Sequence, residues 1–133
     1  MSHYEKILLN FLTITNQIKL YHWQTLSHPR HIASGELYSE LDKLVDKFIE
    51  ALQGRAIAET SNSNFRILLN NKTNTITFKN YNDNDILLFI LNIKTYLESG
   101  ELISVISKFT DLLNIRDEML ALINKSSYLF SLK

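Results

Sequence analysis

Residues 58–83 read AETSNSNFRILLNNKTNTITFKNYND. Asn, Ser and Thr dominate this stretch, and Asn70-Asn71-Lys72-Thr73-Asn74 is a turn signal. Phe65, Ile67 and Leu69 alternate before that run, and Ile76 and Phe78 after it. The alternation fits a short hairpin or an extended crossover equally well. On both sides the pattern becomes helical. A first helix is expected over about 2–26, where Ile7, Leu8, Phe11, Leu12, Ile14, Ile18 and Tyr21 recur at three- and four-residue steps behind a candidate N-cap, Ser2. Ser27-His28-Pro29-Arg30 breaks it, because a proline disfavours helical backbone in the residue before it.

A second helix is expected over 31–54, with Leu37, Leu41, Leu44, Val45, Phe48 and Leu52 as its apolar stripe and Gly54 as a C-cap glycine. A third, capped by Asp83 or Asp85, covers about 84–98. After Ser99-Gly100 a fourth covers about 101–130, with Ile103, Ile106, Phe109, Leu113, Met119, Leu122 and Ile123 in its stripe. The links between helices one and two and between three and four are short, so each pair is expected to be antiparallel. The link between two and three is long, roughly 25 residues, which an up-down-up-down bundle does not need. The fold expected is therefore all-α: a single domain over 1–133, a ferritin-like four-helix bundle with a long crossover between helices two and three.

Composition narrows the chemistry. A chain of 133 residues with 45% hydrophobic and 21% charged residues is a globular domain large enough to bury a core. Fourteen Lys and Arg balance fourteen Asp and Glu, so there is no basic excess and DNA binding is not supported. The absence of cysteine excludes disulfide frameworks, zinc fingers, iron–sulfur ligation and thiol catalysis. Three glycines and one proline leave no Gly-rich phosphate loop. The most apolar run, Ile86–Leu91, is too short for a bilayer span of about 20 residues. With no leader-like N-terminus, a soluble intracellular protein with no membrane partner is expected, in the cytoplasm or in a virus particle.

Any metal site must then use nitrogen and oxygen ligands. His22 lies at the end of helix one and His31 at the start of helix two, so antiparallel pairing puts them at one end of the bundle. Singly, each is more often a surface or capping histidine than a ligand. Helix two also carries Asp42, Asp46 and Glu50 in a four-residue step, an acidic line. Taken alone, such a line is more often a solvated face paired with neighbours such as Lys43 and Lys47. His31 and Asp46 are fifteen residues apart, about four helical turns, and point to similar sides at a separation of roughly 22 Å. One metal cannot join them within one chain. Two copies of helix two packed antiparallel about a two-fold axis near Tyr38 and Ser39 would place His31 of one subunit against Asp46 and Glu50 of the other, twice per dimer. Such ligands suit Fe(II), Mn(II) or Zn(II).

The segment Lys19-Leu20-Tyr21-His22-Trp23-Gln24, with His31, Asp46 and Glu50 after it, resembles the Dps family, the miniferritins of the ferritin-like superfamily. That family ends its first helix with His-Trp and opens the second with another His. An Asp follows fifteen residues later, and a Glu four after that. The resemblance implies that His22, His31, Asp46 and Glu50 are the metal ligands and catalytic residues of a ferroxidase site between subunits. It implies oxidation of Fe(II) by peroxide or dioxygen and storage of ferric mineral in a hollow oligomer built from dimers, a dodecamer. Zn(II) or Mn(II) are alternative occupants. Tyr21 and Trp23 suit helix-interface packing; the resemblance also places an aromatic near the iron, and Trp23 is the matching position. Glu36 and Asp42 are nearby. The family often has an Asp four residues after the second His; here Gly35 stands there, with Glu36 about 100° further round the helix. The loop between the histidines is three residues shorter than usual, and neither end carries a basic tail. A bundle-core di-iron site is disfavoured, since the positions three after Glu50 and Glu118 are Gln53 and Ala121 rather than His. The alternative is a non-enzymatic structural or scaffold protein on the same bundle, virion-associated, with a vestigial or structural metal site.

Overall fold

The computed structural model describes residues 2–70 and 75–132. They form a helical bundle, with no strand among the described residues. The helices are α1 (His3–Gln24), α2 (His28–Thr60), α3 (Ile86–Leu97), α4 (Gly100–Ile106) and α5 (Thr110–Ser131).

Helix α1 starts where the Ser2 Oγ accepts the Glu5 N–H at 3.1 Å, as the sequence predicts. Helix α2 begins at His28, three residues before the expected His31. The Ser27 Oγ caps the Arg30 N–H, and Pro29 sits in the first turn, where its missing N–H costs nothing. It also runs past Gly54 to Thr60. The extra turns bury Ala56, and the helix stops where Ser61 takes a left-handed conformation with φ 53°. Asp85 holds the N-cap position of α3, as one of the two expected, but its side chain makes no capping bond; Asn82 orders the approach instead, its Oδ1 accepting the N–H groups of Asn84 and Asp85.

The single helix expected over 101–130 is two, α4 and α5, separated at Ser107–Phe109. The cause is the phase of the apolar stripe. Leu102, Ile106, Leu112 and Ile115 are all buried, yet in one continuous helix Ile106 and Leu112 would point about 120° apart. The break turns both onto the core.

Side-chain contacts fix the helix directions. Phe11 meets Phe48 at 5.1 Å between ring centroids and His22 meets His31, so α1 and α2 are antiparallel. Arg55 pairs with Asp111 at one end of α2 while Arg30 reaches the Phe130 carbonyl at the other, so α2 and α5 are antiparallel. Phe11 also meets Tyr96, and Tyr21 meets Asp83, so α3 runs against α1 and along α2. The chain must therefore climb back between Thr60 and Ile86, and it does so beside α1. Phe65 packs edge-on to Tyr4, the Asn70 N–H bonds to Glu5, Gln17 bonds both backbone groups of Lys79, and Gln24 bonds Asn80. The described part of this segment is extended and irregular, without the strand pairing of a hairpin; the expected turn beyond Asn70 lies outside the described residues.

The core contains Ile7, Phe11, Ile18, Tyr21, Leu41, Phe48, Leu52, Ile90, Leu97, Met119 and Ile123, all buried. Phe48 is fully enclosed and stacks at a tilt on Phe11. Phe48→Ala is expected to cost about 3–5 kcal/mol and to lower the melting temperature clearly, whereas Phe48→Leu costs much less; calorimetry of the two variants checks this.

Candidate metal centre

His22 occupies the last turn of α1 and His31 the first turn of α2, with Thr25–Ser27 turning the chain between them. Their imidazoles stack, with centroids 3.9 Å apart and planes 15° from parallel. The His22 Nδ1 lies 2.8 Å from the His31 carbonyl oxygen, and the His31 Nδ1 lies 2.9 Å from the His22 carbonyl oxygen. A carbonyl only accepts, so each Nδ1 carries the proton and donates. In the neutral ring this leaves the lone pair on Nε2, the arrangement in which a histidine binds a metal through one nitrogen and is oriented through the other. The lone pairs lie in the ring planes, so two stacked rings do not converge on one ion.

Gly35 makes room for this stack. A Cβ there would sit 2.8 Å from the His22 Cε1 and 3.3 Å from its Nδ1, closer than the ring tolerates. The buried Ser34 Oγ lies 3.2 Å from the His22 Nδ1. Glu36 is turned the other way and lines a groove of about 590 Å³ between α2 and α5, with Glu40 and Lys125.

Asp46 and Glu50 are exposed on the α1–α2 face, and Asp42 and Asp46 line a shallow groove there with Leu8, Leu12 and Ile49. Hydrogen bonding to Asp46, and then the Asp46 charge, raise the Glu50 carboxyl above its ordinary value. The two carboxylates stand one helical turn apart on α2. Among the described residues no ion pair ties Lys43 or Lys47 to these acids; the pairs present are Arg55–Asp111 and Arg116–Asp117.

The structure therefore brings His22 to His31 and Asp46 to Glu50, and keeps the two pairs apart. Among the described residues of one chain, no group of three or more His, Asp or Glu side chains is placed to hold a metal ion. Tyr21 is buried as a packing residue, but Trp23 stands 66% exposed rather than packed within this chain. The Lys19 Nζ lies 5.4 Å from the Trp23 ring and 5.6 Å from the ring of Tyr38, which itself is 5.5 Å from His22.

Sequence reading missed the group that braces the turn. The Tyr21 hydroxyl donates to the Asp83 Oδ1 at 2.5 Å, and the Thr25 hydroxyl donates to the same oxygen at 2.6 Å. Arg30 donates to the Asp83 carbonyl at 2.9 Å, to the Tyr21 hydroxyl at 3.3 Å and to the Phe130 carbonyl at 2.8 Å, with its guanidinium over the Phe130 ring. The Thr25 and Tyr21 hydroxyls hold the Asp83 carboxyl below its usual range, and burial raises the Tyr21 phenol. Asp83 is some sixty residues from its partners, so no local spacing announces it.

Two expectations follow from this geometry. Gly35→Ala is expected to displace the His22 ring and remove the paired Nδ1–H signals from histidine nitrogen spectra, with the helix content unchanged. Asp83 has a lowered folded pKa, so its contribution to stability is fully present above the ordinary carboxylate range and is lost as pH falls below it. The melting-temperature gap between wild type and Asp83→Asn is therefore expected to be open at pH ~6 and to close toward pH ~2. A gap independent of pH contradicts it.

Among the described residues no helix is long and apolar enough to cross a membrane. No curated protein and no solved structure matches the chain. A model of a family of unknown function, DUF5856, matches residues 22–130, a span that begins at His22 and includes His31, Asp46 and Glu50. It takes in most of the chain, which therefore belongs to the DUF5856 family.

Proposed function

We propose that this chain is a Dps-like miniferritin subunit that binds and oxidises Fe(II) at sites shared between two copies. The observation that carries the reading is the pair of stacked histidines with both Nε2 lone pairs free, fifteen residues along α2 from a contiguous carboxyl pair. Antiparallel packing of two α2 helices superimposes the histidine pair of each subunit on the Asp46/Glu50 pair of the other, twice per dimer. The return of the chain beside α1 and the shared direction of α2 and α3 support a ferritin-like crossover.

Each imidazole would take one Fe(II), and the carboxylates would complete both coordination shells and bridge them. Mixed nitrogen and oxygen ligation without sulfur suits this ion. Two Fe(II) give one electron each to a peroxide, which takes up two protons and leaves as two waters. Ferric product then passes to a mineral inside a hollow oligomer, a dodecamer on this reading, in the cytoplasm or a virus particle. Zn(II) or Mn(II) would compete for the same ligands. The alternative, a structural protein on the same bundle, draws support from the exposed Leu87, Leu88 and Leu91 of α3, which suit burial in an assembly whether or not metal is turned over.

Native mass and ferric absorbance test the proposal together. Wild type is expected to form a shell-sized species and to oxidise Fe(II) with peroxide well above the protein-free rate. His31→Ala and Asp46→Ala are each expected to lose at least ~10-fold in rate, the lower end of what perturbing a metal shell costs. Variants as fast as wild type would rule out these ligands, and a shell without metal uptake would favour the structural reading.

A further inference from the structure

The two histidines do not hold themselves. Each ring is oriented by the other's backbone carbonyl across 2.8–2.9 Å, so their register depends on the path of the three-residue turn between α1 and α2. A displacement of a few tenths of an ångström at either carbonyl weakens both bonds. Around this turn, three side chains leave the site and converge on one residue from outside it. Tyr21, directly before His22, and Thr25, which ends α1, both donate to the Asp83 Oδ1. Arg30, directly before His31, donates to the Asp83 backbone carbonyl and to Tyr21. Both residues that immediately precede the histidines are thus tied to the last part of the segment that joins α2 to α3.

We propose that Asp83 is the positioning residue of the His22/His31 pair: by gathering Tyr21, Thr25 and Arg30 it fixes the turn at which each imidazole donates to the other's carbonyl, and so leaves both Nε2 atoms free for metal. Without the carboxylate, the buried Tyr21 hydroxyl loses its 2.5 Å acceptor and is left to Arg30 and Thr25, and the Thr25 hydroxyl loses its own acceptor. A buried hydroxyl left in that state draws the chain toward other partners. The segment from Ser61 to Asp85 is then more than a connector; its final residues set the geometry of the site. This rests on the reading of the histidines as metal ligands only for its consequence in metal binding, and the ring geometry is tested without metal.

The experiment compares wild type, Asp83→Asn, Asp83→Ala and Gln53→Ala by long-range proton–nitrogen spectra of labelled histidines in metal-free protein. Gln53 accepts the Ile67 N–H at the far end of the same segment, so its loss loosens the segment without touching the turn. Wild type is expected to show both rings protonated at Nδ1 with distinct, sharp signals. Asp83→Ala, and Asp83→Asn to a smaller degree, are expected to shift His22 and His31 toward averaged tautomers, while Gln53→Ala lowers the melting temperature and leaves the rings as they are. Unchanged rings in both Asp83 variants overturn the proposal, as do rings equally disturbed by Gln53→Ala. Where Asp83→Ala does not fold, Asp83→Asn decides. Titration with Co(II) as spectroscopic probe adds the second reading: a drop in affinity of about 10–100-fold in Asp83→Asn is expected. A wild type that binds no Co(II) defeats the metal reading of the site, and the ring spectra still decide the role of Asp83.

Discussion

The Asp83 carboxylate accepts two hydrogen bonds from the end of α1, and the Arg30 guanidinium beside it ties the start of α2 to Asp83 and to the last turn of α5. Four separate parts of the chain meet there. The connection between α1 and α2 is only three residues, too short to be braced from within. An unbraced turn would let the two helix ends slide, and the pairing of Phe11 with Phe48 further down fixes their spacing but not the turn. The Asp83 group also uses Arg30 in the way an arginine is best used in a partly buried place, with several fixed acceptors and an aromatic face for its planar head.

That brace depends on the path of residues 61–85. The segment has few core residues of its own and no ladder partner among the described residues, so it is held by side chains of the helices it passes. Three glutamines do most of this. Gln53 takes the Ile67 N–H, buried Gln17 makes two bonds to the Lys79 backbone, and Gln24 bonds Asn80. A backbone amide left unpaired against a helical surface would cost about 1–3 kcal/mol, and Gln offers a donor and an acceptor on one planar group to match it. The Asn-rich composition of the segment works in the same direction, since Asn62 and Asn82 satisfy neighbouring N–H groups locally.

Much of the bundle was legible in the sequence, because helices announce themselves by period. Ile7, Phe11, Ile14, Ile18 and Tyr21 are buried as the three- and four-residue steps require, and so are Leu37, Leu41, Val45, Phe48 and Leu52. Helix ends were less legible. Gly54 looks like a stop signal, but burial of Ala56 outweighs the ~1 kcal/mol that a glycine costs inside a helix. The break before α5 carries neither Gly nor Pro, and only the phase of Ile106 against Leu112 betrays it. Of the candidate site, the proximity of His22 to His31 follows from the short turn between α1 and α2, and the one-turn step from Asp46 to Glu50 follows from the helix period. The tautomers were not legible, because they depend on carbonyls across the turn, and neither was the need for Gly35, which arises from a ring on another helix. Asp83 was legible as a cap and is used as a long-range acceptor instead.

The division of the site into two halves has a physical consequence for how metal binding and assembly relate on the proposed reading. The histidine half is settled before any metal arrives: both donors are engaged, both lone pairs are fixed, and little ordering remains to be done. The carboxyl half is not settled. Asp46 and Glu50 are like charges one helical turn apart, and the Asp46 carboxyl raises that of Glu50 above its ordinary value. A cation relieves that conflict, and the nearest ammonium groups on α2 do not pair with them in the described structure. In the proposed dimer the rigid half of each site would come from one subunit and the carboxyl half from the other, so a divalent ion would gain most by bridging the two. By linkage, an ion that binds only the paired form stabilises the pair by the same free energy. On the proposed reading, a metal site divided in this way would make dimerisation depend on metal and would give an isolated subunit little affinity for the ion.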